Sequence, residues 1–143
     1  MKRFMIVSLV SFVLLATATA QDDQALPKGF KVNPVLKTGQ TASNVKIEYP
    51  KTAQAEVISV IGELEPGGRT ALHQHPVPVF VYVLEGTLTV QAEGGQPREY
   101  KPGQAFMEDV NHWHQAFNKD STTVKILVFF MGEAGKPTTI NAK

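Results

Sequence analysis

The chain has 143 residues, with 14 lysine and arginine residues against 13 acidic ones, no cysteine and four histidines. This length suits a single domain with its own hydrophobic core. The balanced charge offers no basic surface for nucleic acid or for an anionic membrane. The lack of cysteine excludes disulfides, thiolate metal sites and cysteine nucleophiles. These features predict one globular domain that binds no nucleic acid.

The first twenty residues have the pattern of a secretory signal peptide. Lys2 and Arg3 precede a mostly apolar run over residues 4–16, and Ala18-Thr19-Ala20 follows it. A helix of this run would reach roughly 20 Å, short of the ~30 Å hydrocarbon core, so no stable membrane anchor is expected. Cleavage near Ala20 would export the protein to the periplasm or the medium, and the sequence does not choose between them.

The remaining chain is expected to form three segments. Residues 21–44 are a polar N-terminal arm interrupted by proline and glycine, and residues 45–131 are the β-domain. Residues 132–143 are small and polar and are expected to form a loosely held tail. One strand is expected at residues 45–49.

Short strands follow one another from residue 56 onward. Turn residues recur about every ten positions, which is the spacing of an all-β sandwich or barrel, and no long helical periodicity is present. The predicted strands are 56–64, 70–75, 79–84, 87–92, 98–101, 105–108, 112–117 and 124–131.

Two runs within these strands, 79–84 and 126–130, are apolar on both faces. A strand with one wet face would alternate, so both faces are expected to be covered. One face would lie in the barrel interior and the other would contact a second sheet or a second chain. This pattern favours a two-fold homodimer.

All four histidines lie in two His-x-His pairs, His73 with His75 and His112 with His114. Residues i and i+2 of a strand point to the same face, so each pair aims two imidazoles at one place. Imidazole binds divalent iron, manganese, nickel, copper and zinc, and the residues do not distinguish among these ions. The pairs therefore predict a shared site for a divalent transition metal.

The residues around these pairs resemble the two signature motifs of the cupin superfamily. The resemblance is closest to small, secreted, single-domain bacterial cupins of the type-2 kind. It implies a small jelly-roll barrel, commonly dimeric, with a metal ion inside the barrel. It also implies that His73, His75 and His114 are the metal ligands. The matching positions are Gly67, His73, His75 and Gly86 in the first motif, and Gly103, His114 and Asn118 in the second.

The chain departs from the family motifs at two places. Val79 stands where the first motif has a glutamate ligand, and Asp109-Val110-Asn111 replaces the Pro-x-Gly of the second. Three neutral imidazoles would leave a divalent ion its full charge, which acidifies bound water and attracts anionic or chelating ligands. Two residues are candidates to compensate. For His112 the alternatives are a fourth ligand, a residue that hydrogen-bonds to a ligand, or a polar residue at the barrel rim. For Glu108 they are an inward position, the orientation of a histidine, or a solvated turn that it shares with Asp109.

The parity of the first motif predicts the walls of the pocket. With His73, His75 and position 79 facing inward, Val81 and Val83 also face inward, and the alternating residues Phe80, Tyr82 and Leu84 face outward. The cavity is expected to be mainly apolar, with aromatic side chains near the metal. The candidates are Trp113, Phe106 and Phe117.

Two classes of function fit these residues. The first is a metal-dependent oxidoreductase of dioxygenase type that acts on a small chelating molecule through the three-histidine site. The second is a non-catalytic periplasmic module that binds a metal or small ligand. The sequence assigns no catalytic residue and does not decide whether the protein is an enzyme. Neither a nucleophile elbow nor a phosphate-binding glycine loop is present in the chain.

Overall fold

Nine β-strands organise the chain in the computed structural model, which describes residues 28–143. The predicted signal peptide therefore lies outside the described residues. Eight of the strands correspond to the eight predicted from residue 56 onward, with ends that differ by a few residues. The strands are β1 (Ala55–Leu64), β2 (His73–Gln74), β3 (Val79–Glu85), β4 (Leu88–Ala92), β5 (Arg98–Tyr100), β6 (Ala105–Met107), β7 (His114–Asn118), β8 (Val124–Glu133) and β9 (Ile140–Asn141).

The strands form two antiparallel sheets, which confirms the predicted all-β jelly roll. The first sheet has the order β1-β8-β3-β6 and the second the order β5-β4-β7-β2-β9. Their non-sequential order follows from long connections that carry the chain from one sheet to the other. Among residues 28–143 there is no helix long and apolar enough to cross a membrane.

The hydrophobic core lies between the two sheets. Val79, Val81 and Val83 of β3 are almost completely buried, as the predicted parity requires, and Val128 of β8 lies opposite Val81. Leu88 of β4 belongs to the same buried cluster on the second sheet. Phe80, Tyr82 and Leu84 lie on the other face of β3 and are more exposed. The inner face therefore forms the core and the outer face remains apolar and partly exposed.

The N-terminal arm lies along the first sheet over residues 41–42. The amide of Ala42 donates a 2.8 Å hydrogen bond to the carbonyl of Met107. The strand expected at residues 45–49 is not formed, and a single bridge between Gln40 and Lys46 takes its place. Asn44 has a φ of 65°, a left-handed conformation that turns the chain and prevents a longer ladder.

The C-terminal segment is more ordered than the sequence analysis expects. β8 continues to Glu133, and β9 pairs with β2, placing Asn141 opposite His73. The amide of Ala142 also donates a 2.9 Å hydrogen bond to Leu72. The expectation of a loose tail is wrong because backbone pairing to β2 does not require apolar side chains, and composition alone does not reveal it.

Candidate metal centre

Three histidines, two on paired strands and one that follows the first strand, meet at one place. His73 of β2 lies directly opposite His114 of β7, and His75 follows two positions after His73. The ligand atoms of all three side chains lie within 4.8 Å of one another. His75 and His114 are buried and His73 is half-buried. The structure thus brings together the three histidines that the cupin resemblance assigns as ligands.

Backbone carbonyls hold each imidazole in one tautomer. Nδ1 of His73 lies 2.8 Å from the carbonyl of Ala71, and Nδ1 of His75 lies 2.7 Å from the carbonyl of Thr138. Nδ1 of His114 lies 3.0 Å from the carbonyl of His112. A carbonyl oxygen only accepts, so Nδ1 carries the proton in each ring. In the neutral rings the Nε2 lone pairs are therefore free for a shared ligand.

Glu108 faces the same point from the end of β6. Its Oε2 lies 3.2 Å from Nε2 of His75 and its Oε1 lies 3.4 Å from Nε2 of His114. The side chain is only 12% exposed. Glu108 was open among an inward position, the orientation of a histidine and a solvated turn, and the structure places it inward against two histidines.

The histidines and Glu108 alter one another's protonation. Burial raises the pKa of Glu108, but the contacts and charge of His114 and His75 outweigh burial and lower it to about 2. Burial lowers the pKa of His114, but Glu108 outweighs this effect, so the pKa of His114 lies above its usual 6.5. Burial lowers the pKa of His73 below 6.5. The cluster therefore holds a buried negative charge beside imidazoles.

This donor set fits a divalent metal ion. Within residues 28–143, Nε2 of His114 is a buried polar atom with no hydrogen-bond partner. Oε1 of Glu108 lies 3.4 Å away, which is longer than an ordinary hydrogen bond. The Nε2 lone pairs of neutral histidines and the carboxylate of Glu108 repel each other, because no hydrogen lies between them. A cation bound between them removes that repulsion. Imidazole and carboxylate are the donors that first-row transition metals accept.

His112 does not join the cluster. Its ring is exposed, and Nε2 lies 3.2 Å from the carbonyl of Glu93. Of the three alternatives left open for His112, the structure fits the rim residue, because this residue precedes β7 and its ring is exposed. Its backbone carbonyl, rather than its ring, contacts His114.

The turn that replaces Pro-x-Gly has Asn111 at the position where the motif has glycine. Asn111 has a φ of 54°, in the left-handed region that asparagine tolerates better than most residues. Its amide donates a 2.7 Å hydrogen bond to the carbonyl of His75, which ties the turn to the first motif. The carboxylate of Asp109 accepts a hydrogen bond from the hydroxyl of Thr41 in the arm. Asp109 therefore has a structural contact away from the histidines.

A mainly apolar cavity of about 170 Å³ adjoins the histidines inside the barrel. Phe130 packs its ring 5.3 Å from that of His75, a neighbour that the sequence analysis did not name. Neither Trp113 nor Phe117 lines this cavity, and Phe106 instead stacks on Tyr100 beside a separate pocket of about 50 Å³. The cavity, called the inner cavity below, is lined by Thr70, His73, His75, Val81, Leu88, Glu108, Ala116, Ile126, Val128, Phe130 and Thr139.

The chain is similar in sequence or in fold to several known proteins. An (R)-mandelonitrile lyase from Granulicella tundricola is 43% identical over 81 residues, which are 55% of this chain and 60% of that protein. The chain thus spans less than two thirds of this curated relative. The polyketide cyclase RemF from Streptomyces resistomycificus superposes with a TM-score of 0.53 at 26% identity, over 68% of each chain. The lyase DddQ from Ruegeria pomeroyi, whose substrate is DMSP, superposes with a TM-score of 0.54 at 22% identity, over 60% of this chain and 43% of that one.

The family follows from a match over the core of the β-domain. The Cupin domain family matches residues 60–130, which include β2, β3, β6 and β7 and thus all the histidines and Glu108. The two antiparallel sheets and the position of the histidine cluster agree with that match. This protein belongs to the cupin superfamily.

Proposed function

We propose that this protein is a metal-dependent enzyme that binds one divalent ion through His73, His75 and His114 and acts on a small molecule. The observation that carries the proposal is the convergence of three imidazoles, each of which holds its Nδ1 against a backbone carbonyl. Backbone contacts of this kind orient metal-binding histidines. The ion would supply Lewis acidity toward a substrate oxygen and lower the pKa of a bound hydroxyl.

The inner cavity supports a substrate about the size of one ring. Its volume is about 170 Å³, and an apolar cavity of ~150 Å³ is enough to hold benzene. Val81, Val128 and Phe130 would exclude water from the apolar part of the substrate. His73 and His75 form part of the cavity wall, so the polar part of the substrate would face the metal centre. A hydroxylated molecule with one compact apolar group fits this division.

Lyase chemistry is the reaction that we propose to test first. The relative named as an (R)-mandelonitrile lyase shares 43% identity across the matched segment. Cleavage of an α-hydroxynitrile removes the hydroxyl proton and breaks the bond between the carbinol and nitrile carbons. Cyanide leaves with the electron pair and takes up the proton, so no external oxidant is needed. The required activation of a hydroxyl is the property that a three-imidazole ion provides.

The test uses protein loaded separately with manganese, iron, cobalt, nickel or zinc. Benzaldehyde release from (R)-mandelonitrile is followed by absorbance, with the H114A variant as control. Metal-dependent release that is lost in H114A supports the proposal. No release with any of the five ions, from protein shown to hold the ion, contradicts it.

Oxidation of a chelating substrate by dioxygen is the second candidate. The open cavity beside His73 and His75 favours it, because both a substrate and dioxygen need access to the ion. An oxygen electrode with α-hydroxyketone and enediol substrates distinguishes oxidation from lyase chemistry. A loaded protein that shows neither activity, yet binds such molecules, is a non-catalytic periplasmic binding module.

We also propose a homodimer through the outer face of the first sheet. Val57 and Ile61 of β1 are 62% and 53% exposed, and Phe80, Tyr82 and Phe129 on the same face are only partly covered. A second copy of this chain would cover that surface by two-fold symmetry. Light scattering should give a dimer for the wild type and a monomer for I61E. L72E, which charges an exposed residue outside this face, should remain a dimer.

Export is a further part of the proposal. Lys2 and Arg3, the apolar run and the Ala-x-Ala ending support secretion to the periplasm or medium with cleavage near Ala20. Mass spectrometry of the N-terminus of protein isolated from its host tests this directly. A mature chain that begins near Gln21 supports export, and an uncleaved cytoplasmic chain contradicts it.

A further inference from the structure

We infer that Glu108 is the fourth protein ligand of the metal ion, supplied by the strand beside the position where the cupin motif has its carboxylate. This inference rests on the proposed three-histidine site and deepens it. It changes the predicted site from three neutral donors to three neutral donors and one anion. The net charge of a bound divalent ion would then fall from +2 to +1.

Sheet register places Glu108 beside Val79. Phe80 of β3 pairs with Met107 of β6, so one further step of the antiparallel register brings Val79 opposite Glu108. The amide of Glu108 donates a 2.9 Å hydrogen bond to the carbonyl of Val79. Directly opposite residues share a sheet face with Cβ atoms about 4.5–5.5 Å apart. A carboxylate from Glu108 therefore reaches the volume that a side chain at position 79 would reach.

The distances around Glu108 fit shared coordination. Two donors bound to one ion at ~2.1 Å lie roughly 3.0 Å apart at a right angle and roughly 3.4 Å apart at a tetrahedral angle. The oxygens of Glu108 lie 3.2 Å from Nε2 of His75 and 3.4 Å from Nε2 of His114. Both imidazoles carry their proton on the far nitrogen, so neither neutral ring donates to Glu108. A cation between these atoms satisfies the lone pairs and the carboxylate together.

The choice of metal ion distinguishes a ligand from a structural carboxylate. Manganese favours carboxylate oxygen, whereas zinc is well served by imidazole. Loss of a carboxylate ligand should therefore weaken manganese binding more than zinc binding. A residue that only supports the fold would weaken both equally.

The experiment measures the dissociation constants of Mn²⁺ and Zn²⁺ for the full mature chain by calorimetry, with Mn²⁺ also followed by the EPR signal of the free ion. E108Q should raise the dissociation constant of Mn²⁺ at least about 100-fold. The rise in the dissociation constant of Zn²⁺ should be smaller by a factor of at least about ten. The control D109N removes the neighbouring carboxylate and should leave both constants within about twofold. The exchange variant V79E/E108V should recover most of the Mn²⁺ affinity, because the carboxylate returns from the opposite strand.

The outcomes separate this inference from the proposed function. If the wild type binds one ion and E108Q binds Mn²⁺ as tightly, Glu108 is not a ligand and the three-histidine site stands. Equal losses for Mn²⁺ and Zn²⁺ in E108Q, without recovery in V79E/E108V, also overturn the inference. Failure of the wild type to bind either ion overturns the proposed site and the inference with it.

Discussion

Val79 of β3 and Glu108, which directly follows β6, lie opposite each other in the first sheet, and the amide of Glu108 donates a hydrogen bond to the carbonyl of Val79. The pair combines a fully buried aliphatic side chain with a nearly buried carboxylate that contacts His75 and His114. A buried carboxylate is unfavourable without compensation from charge or hydrogen bonds. Its position therefore indicates that the cluster is built to hold positive charge.

Alanine variants of the histidines should divide into two groups. H73A, H75A and H114A each remove one of three converging nitrogens and should weaken binding of Zn²⁺ at least about 100-fold. H112A should change it by less than about threefold, because that ring is exposed and faces the carbonyl of Glu93. Calorimetric titration of metal-free protein checks both expectations. An H112A variant as defective as H114A would show that the rim position is misassigned.

Acid should destabilise the metal-free protein through Glu108. The pKa of this carboxyl is about 2 in the folded protein, against 4.5 as its ordinary value. Its contribution is complete above pH 4.5 and is lost as the pH falls from 4.5 toward 2, because the unfolded chain binds more protons in that interval. The full loss is on the order of 3 kcal/mol.

Urea unfolding in the presence of a chelator measures this effect. The free energy of unfolding of the wild type should fall more steeply than that of E108Q between pH 5 and pH 3, since glutamine does not titrate. Parallel curves for the two proteins would contradict the lowered pKa of Glu108.

Removal of the C-terminal segment should weaken the metal site without touching a ligand. The carbonyl of Thr138 accepts a 2.7 Å hydrogen bond from Nδ1 of His75, and the hydroxyl of Thr139 lies 3.2 Å from the same atom. A chain that ends at Lys136 loses both contacts and β9. Because such contacts orient the imidazole, Zn²⁺ affinity should fall about 10- to 100-fold.

A chain that lacks only Lys143 is the matched control, and its affinity should equal that of the full chain. Unchanged affinity after truncation at Lys136 would mean that His75 keeps its orientation without the segment.

Asn118 should matter for stability and not for metal binding. Its buried amide donates 2.8 Å hydrogen bonds to the carbonyls of Leu64 and Thr122 and accepts one from the amide of Asp120. N118A removes all three hydrogen bonds from a buried position and should cost about 3 kcal/mol. Thermal unfolding and Zn²⁺ titration of the same samples separate the two effects. Weaker metal binding with unchanged stability would contradict this role.

The histidine cluster was predictable because it depends on short-range rules. His73 and His75 share a face through strand parity, and the cupin resemblance joined them to His114. The same parity identified the buried positions Val81 and Val83. Strand alternation and motif spacing are properties of the sequence itself, so they predict these positions before the strand order is known.

The rest of the site depends on contacts between distant segments. The opposition of Val79 and Glu108 follows from β6 lying beside β3, which strand patterns do not specify. Thr138 is separated from His75 by 63 positions and contacts it through a backbone carbonyl, which has no side-chain signature. Phe130 was visible as part of an apolar strand, but only its register opposite Val79 brings it near the site.

Crystals of cobalt-loaded protein, measured at the cobalt absorption edge, show whether the three imidazoles bind one ion. We expect one anomalous peak per chain, within about 2.0–2.2 Å of Nε2 of His73, His75 and His114. A saturated crystal with its peak elsewhere, or with imidazoles that point away from it, would mean that these histidines do not form the metal site.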